Sequence, residues 1–320
     1  MKKVLICEFV DSQAIDILRK EAEVIYLPEL PGRTLEETIK TAHAVAIRGG
    51  TQINRNLIEQ GENLLIIAKH GVGYDNIDVE TATQKKIVVV NTPEANYEAV
   101  TELNMGFMLA LSRNITSADR ALRQGTLTGP ENYIGVELKG KNLGIIGLGR
   151  IGSEMARKCQ SAFDMTITCY DPYLPADIAQ KAGFRIAKDI NTLLTEADYV
   201  VICVPLNKET ANLIGRKELT LMKESSFLIN SSRGGIVDEK ALYDSLKQKK
   251  ITGAAMDVFT KEPPSPDNPL LNLDNFIATP HLGAGTEEAM KLMALTVAEE
   301  ILRVFQGEKP KYPVNPEIYG

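Results

Sequence analysis

The chain has 320 residues, a formal net charge of −6 at pH 7 and a hydrophobic fraction of 44%. This length is typical of two domains, and the apolar fraction is sufficient for a sizeable core. Because no basic cluster stands out, we expect neither nucleic acid nor an anionic membrane as a partner. No apolar run reaches the ~18 residues of a membrane-spanning helix, and the N-terminal apolar run is too short for a signal peptide, so we expect a cytoplasmic protein.

The cysteines are spread along the chain without a CxxC pair. They are Cys7, Cys159, Cys169 and Cys203, and most of them lie in apolar strand-like or helix-like runs. This usage is typical of free buried thiols in a reducing compartment, and we expect no metal site.

The first 95 residues alternate short apolar runs with helical patterns, which indicates a parallel sheet covered by helices. The predicted strands are residues 4–7, 23–27, 44–47, 64–68 and 87–90. The predicted helices are residues 12–20, 35–41, 54–60 and 79–84. No glycine-rich loop follows the first strand, so this segment is predicted to be a complete α/β domain without a nucleotide loop of its own.

Long helical patterns and then a second series of strands follow. Helices are predicted at residues 96–113, 115–123 and 286–305. Strands are predicted at residues 143–146, 166–171, 199–204, 226–230, 252–256 and 276–278. In the last helix, a stripe that includes Met290 and Met293 has helical spacing, which we interpret as core packing rather than a cofactor surface.

A glycine motif joins an apolar strand to a helix predicted over residues 151–160. Gly147 would allow a tight turn, Gly149 would let the backbone approach a pyrophosphate, and Gly152 would let the helix pack closely on the strand. Asp171 ends the next strand, where it would accept hydrogen bonds from the adenosine ribose and repel a 2′-phosphate. This pattern predicts NAD rather than NADP. The alternative is an ordinary βαβ turn that binds nothing, and the complete unit disfavours it.

Two basic side chains follow predicted strands, at the sheet edge where ligand sites of open α/β sheets collect. Arg233 could bind a carboxylate through both of its terminal nitrogens, and the alternative is a surface arginine in a salt bridge. His281 lies between Pro280 and two glycines, a setting that favours a positioned side chain over an ordinary surface histidine.

Two carboxylates belong to the same region. Asp257 ends another predicted strand, and Glu262 follows five residues later. Either could be a plain loop residue. A carboxylate beside a catalytic imidazole, however, stabilises the imidazolium and keeps its proton available near neutral pH.

Taken together, these motifs resemble those of the D-specific 2-hydroxyacid dehydrogenase family. The matching segments of the second half occur in the family's order, at residues 147–152, 230–239, 255–264 and 279–284. The first half matches at residues 48–51, 71–78 and 91–93. The resemblance implies an α/β protein of two doubly wound parallel-sheet domains. A Rossmann NAD-binding domain of residues 97–289 would be inserted into a flavodoxin-like substrate domain of residues 1–96 and 290–320, with a cleft between them. It also implies a homodimer, whose interface would be formed by the helices of residues 96–123.

The resemblance assigns a role to each site residue. The catalytic residues would be Arg233, Glu262 and His281, with His281 as the acid–base group and Glu262 as its partner. The NAD-binding residues would be Gly147, Gly149, Arg150, Ile151, Gly152, Asp171, Pro205, Ser232, Asp257 and His281, with Asp257 at the nicotinamide carboxamide. The substrate-binding residues would be Arg48, Lys69, Val72, Gly73 and Arg233.

Within the family, the chain is most similar to the branch that acts on 3-phosphoglycerate and phosphohydroxypyruvate in serine biosynthesis. Arg48 and Lys69 stand where that branch places cations for the substrate phosphate. Glu131 is a departure, since basic residues are expected in that segment. No C-terminal regulatory domain is expected after Gly320. The alternatives are a glyoxylate or hydroxypyruvate reductase, another D-2-hydroxyacid dehydrogenase, a non-catalytic NAD-sensing protein like the related corepressors, or an unrelated Rossmann enzyme, which the order of the catalytic residues disfavours.

Overall fold

The structure is a computed structural model that describes residues 1–174 and 183–320. Its strands are β1 (Lys3–Ile6), β2 (Glu23–Tyr26), β3 (Ala44–Ile47), β4 (Ile66–Lys69), β5 (Val88–Val90), β6 (Asn142–Ile146), β7 (Thr166–Tyr170), β8 (Arg185–Ile186), β9 (Tyr199–Ile202), β10 (Phe227–Asn230), β11 (Gly253–Met256) and β12 (Phe276–Ala278). Its α-helices are α1 (Ser12–Glu21), α2 (Leu35–Thr38), α3 (Arg55–Gln60), α4 (Val79–Gln84), α5 (Tyr97–Ser112), α6 (Ile115–Gln124), α7 (Arg150–Phe163), α8 (Ile190–Glu196), α9 (Arg216–Leu221), α10 (Glu239–Lys247) and α11 (Glu287–Phe305).

The described residues divide into two compact units. The first comprises Met1–Asn96 and Ala284–Gly320, and the second comprises Tyr97–Gly283. The domain boundaries that the resemblance implies, with the return to the first unit at residue 290, stay a prediction. The N-cap of α11 is Thr286, whose side chain accepts a hydrogen bond from the Ala289 N–H.

The first unit contains a five-stranded parallel sheet in the order β2-β1-β3-β4-β5. This is the flavodoxin-like order of a doubly wound sheet. Alternate residues of β1 enter opposite layers, since Val4 and Ile6 belong to one apolar cluster and Leu5 to the other. The strand period of two therefore supplies a core on both faces of the sheet.

The second unit contains a seven-stranded parallel sheet in the order β12-β11-β10-β9-β6-β7-β8. From β6 to one edge the order is sequential, and the chain then returns to the other side of β6, as in the Rossmann fold. The switch point lies between β6 and β9, which pair from Leu143 with Tyr199 to Ile146 with Ile202. The predicted fold class, two doubly wound parallel-sheet domains, is confirmed.

Apolar strands are the elements whose bounds the sequence predicts best. Predictions for β3, β12 and α4 coincide with the observed bounds. The alternation of strands and helices implies α8, α9 and α10 without giving their bounds, and Asp189 and Asp238 cap α8 and α10 with their side chains. Among the described residues, every helix is too short or too polar to cross a membrane.

Candidate functional site

The glycine turn after β6 has the geometry that its sequence predicts. Gly147 has a φ of +91°, and a Cβ there would lie 2.6 Å from the carbonyl oxygen of Cys203. A Cβ on Gly152 would lie 2.1 Å from the carbonyl oxygen of Gly147, so only glycine allows α7 to pack this closely. A Cβ on Gly149, in contrast, would have no described atom within 4 Å. The second glycine therefore leaves an open approach to the backbone.

The start of α7 completes this turn. The helix begins at Arg150, and its N-cap, Gly149, has no side chain that could satisfy the first N–H groups. The N-terminus of a helix carries partial positive charge and unpaired donors, which together form a binding place for phosphate. Arg150 and Ile151 are the first residues of this helix, and their position at the pyrophosphate stays a prediction.

Asp171 is held against the glycine turn by backbone donors. Its Oδ2 accepts a hydrogen bond of 2.9 Å from the Leu148 N–H, and its Oδ1 accepts one of 3.0 Å from the Tyr173 N–H. Each oxygen retains acceptor capacity, because a carboxylate offers about four lone-pair sites. The charge expected to select the ribose is thus fixed beside the glycine turn.

The loops after β9 and β10 carry two further cofactor candidates. The Ser232 hydroxyl donates to the carbonyl oxygen of Ile202 at 2.7 Å, which ties the second loop to the end of β9. The Thr210 hydroxyl donates to the carbonyl oxygen of Pro205 at 2.6 Å. Both loops lie at the carboxyl edge of the sheet, on the same side as the glycine turn.

Arg233 lies on a loop that touches the loop carrying Glu262. The Asn230 side-chain amide donates to the Arg233 carbonyl oxygen at 3.0 Å, and Arg233 Nη1 donates to the Ser232 carbonyl oxygen at 2.7 Å. A Cβ on Gly234 would lie 2.0 Å from the carbonyl carbon of Phe259. Only glycine permits this approach, which brings the guanidinium into the electrostatic surroundings of Glu262.

The side chains of His281 and Glu262 are in contact in the structure. His281 Nδ1 lies 2.7 Å from Glu262 Oε2, and Glu262 Oε1 accepts a hydrogen bond of 3.1 Å from the Phe259 N–H. Burial raises the pKa of Glu262, but the hydrogen bond and charge of His281, the Phe259 N–H and the Arg233 charge outweigh burial and leave the pKa below its usual value. Glu262 is therefore an anion near neutral pH, aligned on one nitrogen of the imidazole.

The loop that carries His281 is anchored by Asp257, which is only 1% exposed. Asp257 Oδ1 accepts from the Thr279 hydroxyl at 2.5 Å and from the Leu282 N–H at 2.7 Å, and Oδ2 accepts from the Gly283 N–H at 2.7 Å.

The anchored loop fixes the conformation of His281 itself. Its own N–H donates to the Asp257 carbonyl oxygen at 2.8 Å, and its φ is +57°. A left-handed conformation is costly for a residue with a side chain and persists where the surroundings impose it. Asp257 thus fixes the catalytic candidate, while its predicted contact with the nicotinamide stays a prediction.

In the first unit, the predicted carboxylate-binding backbone follows β4. The Asn91 side-chain amide donates to the Val72 carbonyl oxygen at 2.7 Å, and the Gly71 N–H donates to the Thr92 hydroxyl at 3.1 Å. Within the described part of the chain, the N–H groups of Val72 and Gly73 donate to no protein acceptor. Two adjacent donors on a fixed loop are suited to an anionic ligand.

The two cations predicted for a substrate phosphate differ in their surroundings. Lys69 is 6% exposed, and its ammonium donates to the Arg48 carbonyl oxygen at 2.5 Å and to Asn76 Oδ1 at 2.7 Å. Arg48 is half-buried, and among residues 1–174 and 183–320 its guanidinium has no hydrogen-bonding or ionic partner. Of the two, Arg48 is the better-placed cation for a ligand, and the phosphate role of Lys69 stays a prediction.

Some positioned residues were not identified from the sequence. Asn76 lies in the matching segment 71–78, and its amide holds the carbonyl oxygens of Arg48 and Thr51. Glu8 follows β1 at the carboxyl edge of the first sheet. This position is the only signal in the sequence that could have identified Glu8.

All cysteines are free, and burial raises the pKa of Cys159 to about 12. In the described part of the chain, no group of three or more His, Cys, Asp or Glu side chains could hold a metal ion.

Comparisons with known proteins identify the relatives of this chain. A family model described as D-isomer specific 2-hydroxyacid dehydrogenase, NAD binding domain, matches residues 105–283. The D-3-phosphoglycerate dehydrogenase of Methanocaldococcus jannaschii is 47% identical over 315 residues, which cover 98% of this chain and 60% of that protein. The hydroxypyruvate reductase of Thermotoga maritima is 39% identical, over 92% of this chain and 95% of that protein.

A solved structure is similar to nearly the whole chain. The TT0316 protein of Thermus thermophilus matches with a TM-score of 0.88 and 31% identity, over 98% of this chain and 99% of that one. The chain spans about 60% of the length of the archaeal D-3-phosphoglycerate dehydrogenases that it matches. The matched family model lies within the second unit, which is therefore the part that binds a nicotinamide dinucleotide.

Proposed function

The chain belongs to the D-isomer specific 2-hydroxyacid dehydrogenase family, and we propose that it transfers a hydride between NAD and a small D-2-hydroxy acid or the corresponding 2-oxo acid. The observation that carries the proposal is the contact of 2.7 Å between His281 Nδ1 and Glu262 Oε2. It pairs a proton donor with an anion on a loop that adjoins Arg233. A protein that only senses the dinucleotide would have no use for this pair.

Arg233, His281 and Glu262 have different roles in the reduction. Arg233 binds the carboxylate of the 2-oxo acid and fixes its plane through two parallel N–H donors. His281 donates a proton from Nε2 to the carbonyl oxygen, because Nδ1 is directed at Glu262. Glu262 stabilises the imidazolium before the proton leaves. The reduced dinucleotide, when bound, supplies the hydride.

For the cofactor, we propose NAD rather than NADP. The support is the position of Asp171, whose carboxylate is fixed beside the glycine turn by the Leu148 N–H. A 2′-phosphate on the adenosine ribose would meet this anion at close range, whereas a ribose hydroxyl would donate to it. Gly147, Gly149 and Gly152 would form the turn beneath the pyrophosphate.

For the substrate, we propose 3-phosphoglycerate and phosphohydroxypyruvate, the pair that belongs to serine biosynthesis. The support is Arg48, a half-buried guanidinium without an internal partner among the described residues. In the first unit, the N–H groups of Val72 and Gly73, which donate to no acceptor among the described residues, would bind the substrate carboxylate. Hydroxypyruvate or glyoxylate would use the same carboxylate contacts, but neither has a phosphate that Arg48 could bind.

The substrate assignment is tested by the kinetics of Arg48→Ala with phosphohydroxypyruvate, hydroxypyruvate and glyoxylate. A phosphate monoester brings close to two extra negative charges, and leaving them unpaired is costly. The KM for phosphohydroxypyruvate should therefore rise, and that for the other two acids should change far less. Equal effects on all three acids, or no turnover of phosphohydroxypyruvate by the parent protein, would reject this substrate and leave the broader family activity in place.

We also propose a homodimer through the helices α5 and α6. Large apolar side chains are exposed on and just after these helices, namely Leu109, Ile115, Leu122, Leu127, Ile134 and Val136. Exposed apolar patches are typical of interfaces, and these side chains all come from one stretch of the chain. Ile115→Glu should convert a dimer into a monomer in light scattering, with Leu292→Glu, an exposed position on α11, as the control. A parent protein that is monomeric at all concentrations would exclude the dimer.

A further inference from the structure

We propose that Glu8 is a positioning residue, which holds the loop of Arg48 in the conformation that binds the substrate phosphate. The proposal rests on the substrate assignment above. Its basis is one juxtaposition: the Glu8 carboxylate lies among three backbone N–H groups of residues 48–51. Oε1 accepts from Arg48 at 3.2 Å and from Thr51 at 2.8 Å, and Oε2 accepts from Gly50 at 3.3 Å.

The remaining polar groups of this loop are also held from within the first unit. The Arg48 carbonyl oxygen accepts from Lys69 Nζ at 2.5 Å and from the Asn76 amide at 2.8 Å. The same amide donates to the Thr51 carbonyl oxygen at 2.6 Å. Both holding side chains are buried, at 6% exposure for Lys69 and 7% for Asn76. A negative charge on one side and buried donors on the other therefore fix the loop at both ends.

The position of Glu8 decides how the loop can bind an anion. Successive backbone N–H groups in a turn commonly bind phosphate. Here the Glu8 carboxylate already occupies them, so a phosphate must be bound by the guanidinium of Arg48. Burial raises the pKa of Glu8, but the hydrogen bonds from Thr51, Gly50 and Arg48 outweigh burial and lower it, so the carboxylate is charged near neutral pH.

A fixed backbone beneath Arg48 matters because ordering a loop on binding weakens affinity. If Glu8 is removed, the three N–H groups lose their acceptor, and the loop gains alternatives to the conformation seen here. The affinity for substrates that need Arg48 is then lower, because the loop must be ordered when they bind. Glu8 therefore acts through Arg48, and its removal should have no further effect once Arg48 is gone.

The test is a double-mutant cycle of Glu8→Ala and Arg48→Ala, with KM and kcat measured for phosphohydroxypyruvate and hydroxypyruvate. Glu8→Ala should raise the KM for phosphohydroxypyruvate, relative to the KM for hydroxypyruvate, by about tenfold. This is a typical effect of losing a preorganised contact. The double variant should have the same ratio of the two KM values as Arg48→Ala alone. Glu8→Gln, whose amide oxygen still accepts from part of the loop, should lie between the parent and Glu8→Ala. Asp11→Ala is the matched control, because Asp11 is a carboxylate close to Glu8 in the sequence, and its side chain caps α1.

Independent effects of the two changes on the KM ratio, or equal losses with both acids, would overturn the positioning role and leave the substrate assignment intact. A parent protein that reduces hydroxypyruvate but not phosphohydroxypyruvate would reject both. If Glu8→Ala does not fold, Glu8→Gln takes its place in the cycle. Amide hydrogen exchange gives a second readout: exchange at Arg48, Gly50 and Thr51 should be faster in the Glu8 variant, and unchanged exchange would also overturn the proposal.

Discussion

His281 Nδ1 and Glu262 Oε2 lie 2.7 Å apart, although the two residues stand on different loops, after β12 and β11. The contact depends on Asp257, which binds the His281 loop, and on the Phe259 N–H, which orients Glu262. The imidazole is thereby held with one nitrogen on an anion and the other directed away from it. This is the arrangement that a proton donor to a substrate oxygen requires.

Replacing Glu262 with Gln should change the pH dependence of reduction. In the parent, the hydrogen bond and charge of His281 help to hold the pKa of Glu262 below its usual value, so the anion is lost, and the rate falls, only below the usual carboxyl range. Gln is uncharged at every pH, so kcat should be lower than in the parent near neutral pH, and this fall in acid should be absent. The measurement is kcat for 2-oxo acid reduction across pH. Glu239→Gln is the control, because Glu239 binds the Thr260 N–H of the same loop. A profile that coincides with that of the parent would exclude the pairing.

His281→Ala should reduce kcat by a factor of roughly 10² to 10⁴, the usual size of a lost general acid. The affinity for NADH, followed by nicotinamide fluorescence, should change far less than kcat. His43→Gln serves as the control, since the His43 ring accepts a hydrogen bond from the Lys3 N–H in the first unit. If His281→Ala retained most of the parental kcat, His281 would not be the acid.

Asp171→Ala should narrow the preference for NAD over NADP. NAD loses an acceptor for its ribose hydroxyls, and NADP no longer meets a fixed anion. The quantity to compare is the ratio of kcat/KM values for the two cofactors. Asp164→Ala, at an exposed aspartate that pairs with Lys139, should leave the ratio as it is. Equal use of the two cofactors by the parent protein would show that Asp171 does not select between them.

His70 should make the first unit sensitive to acid. Burial and the positive charge of Arg48 lower the pKa of His70 to about 4, while Nε2 donates to the Met290 carbonyl oxygen. The unfolded chain, with a pKa near 6.5, binds the proton first. The contribution of His70 to the free energy of unfolding is therefore fully present above about pH 6.5. It falls as the pH decreases toward 4, by at most about 3 kcal/mol. In urea unfolding, His70→Gln should lose less stability than the parent between pH 7 and pH 4.5. Parallel losses would refute the assignment.

The sequence predicts the sheets well because their strands are continuous apolar runs, buried on both faces. β8 was missed, since Arg185 and Ile186 are exposed and pair with one strand only. The sequence gives no bounds for α8 to α10, and only the alternation of strands and helices in this part of the chain implies them.

Candidate site residues could be found from the sequence where they follow the carboxyl ends of strands, as Arg233, Asp257 and His281 do. Their partners could not be found in this way. Glu8 contacts residues about 40 positions along the chain, and only the pairing of β1 with β3 brings them together. The same holds for the hydrogen bonds of Asp257, since three donors to one carboxylate depend on the path of the loop after β12.

The proposed activity is tested most directly by the oxidation of NADH in the presence of phosphohydroxypyruvate, hydroxypyruvate, glyoxylate and a larger 2-oxo acid. We expect the parent protein to oxidise NADH with at least one of them. Arg233→Lys should lose turnover with every acid that the parent reduces, because an ammonium cannot reproduce the planar pair of donors. If the parent protein bound NADH but oxidised it with none of the four acids, it would be a binding protein on this fold and not a dehydrogenase.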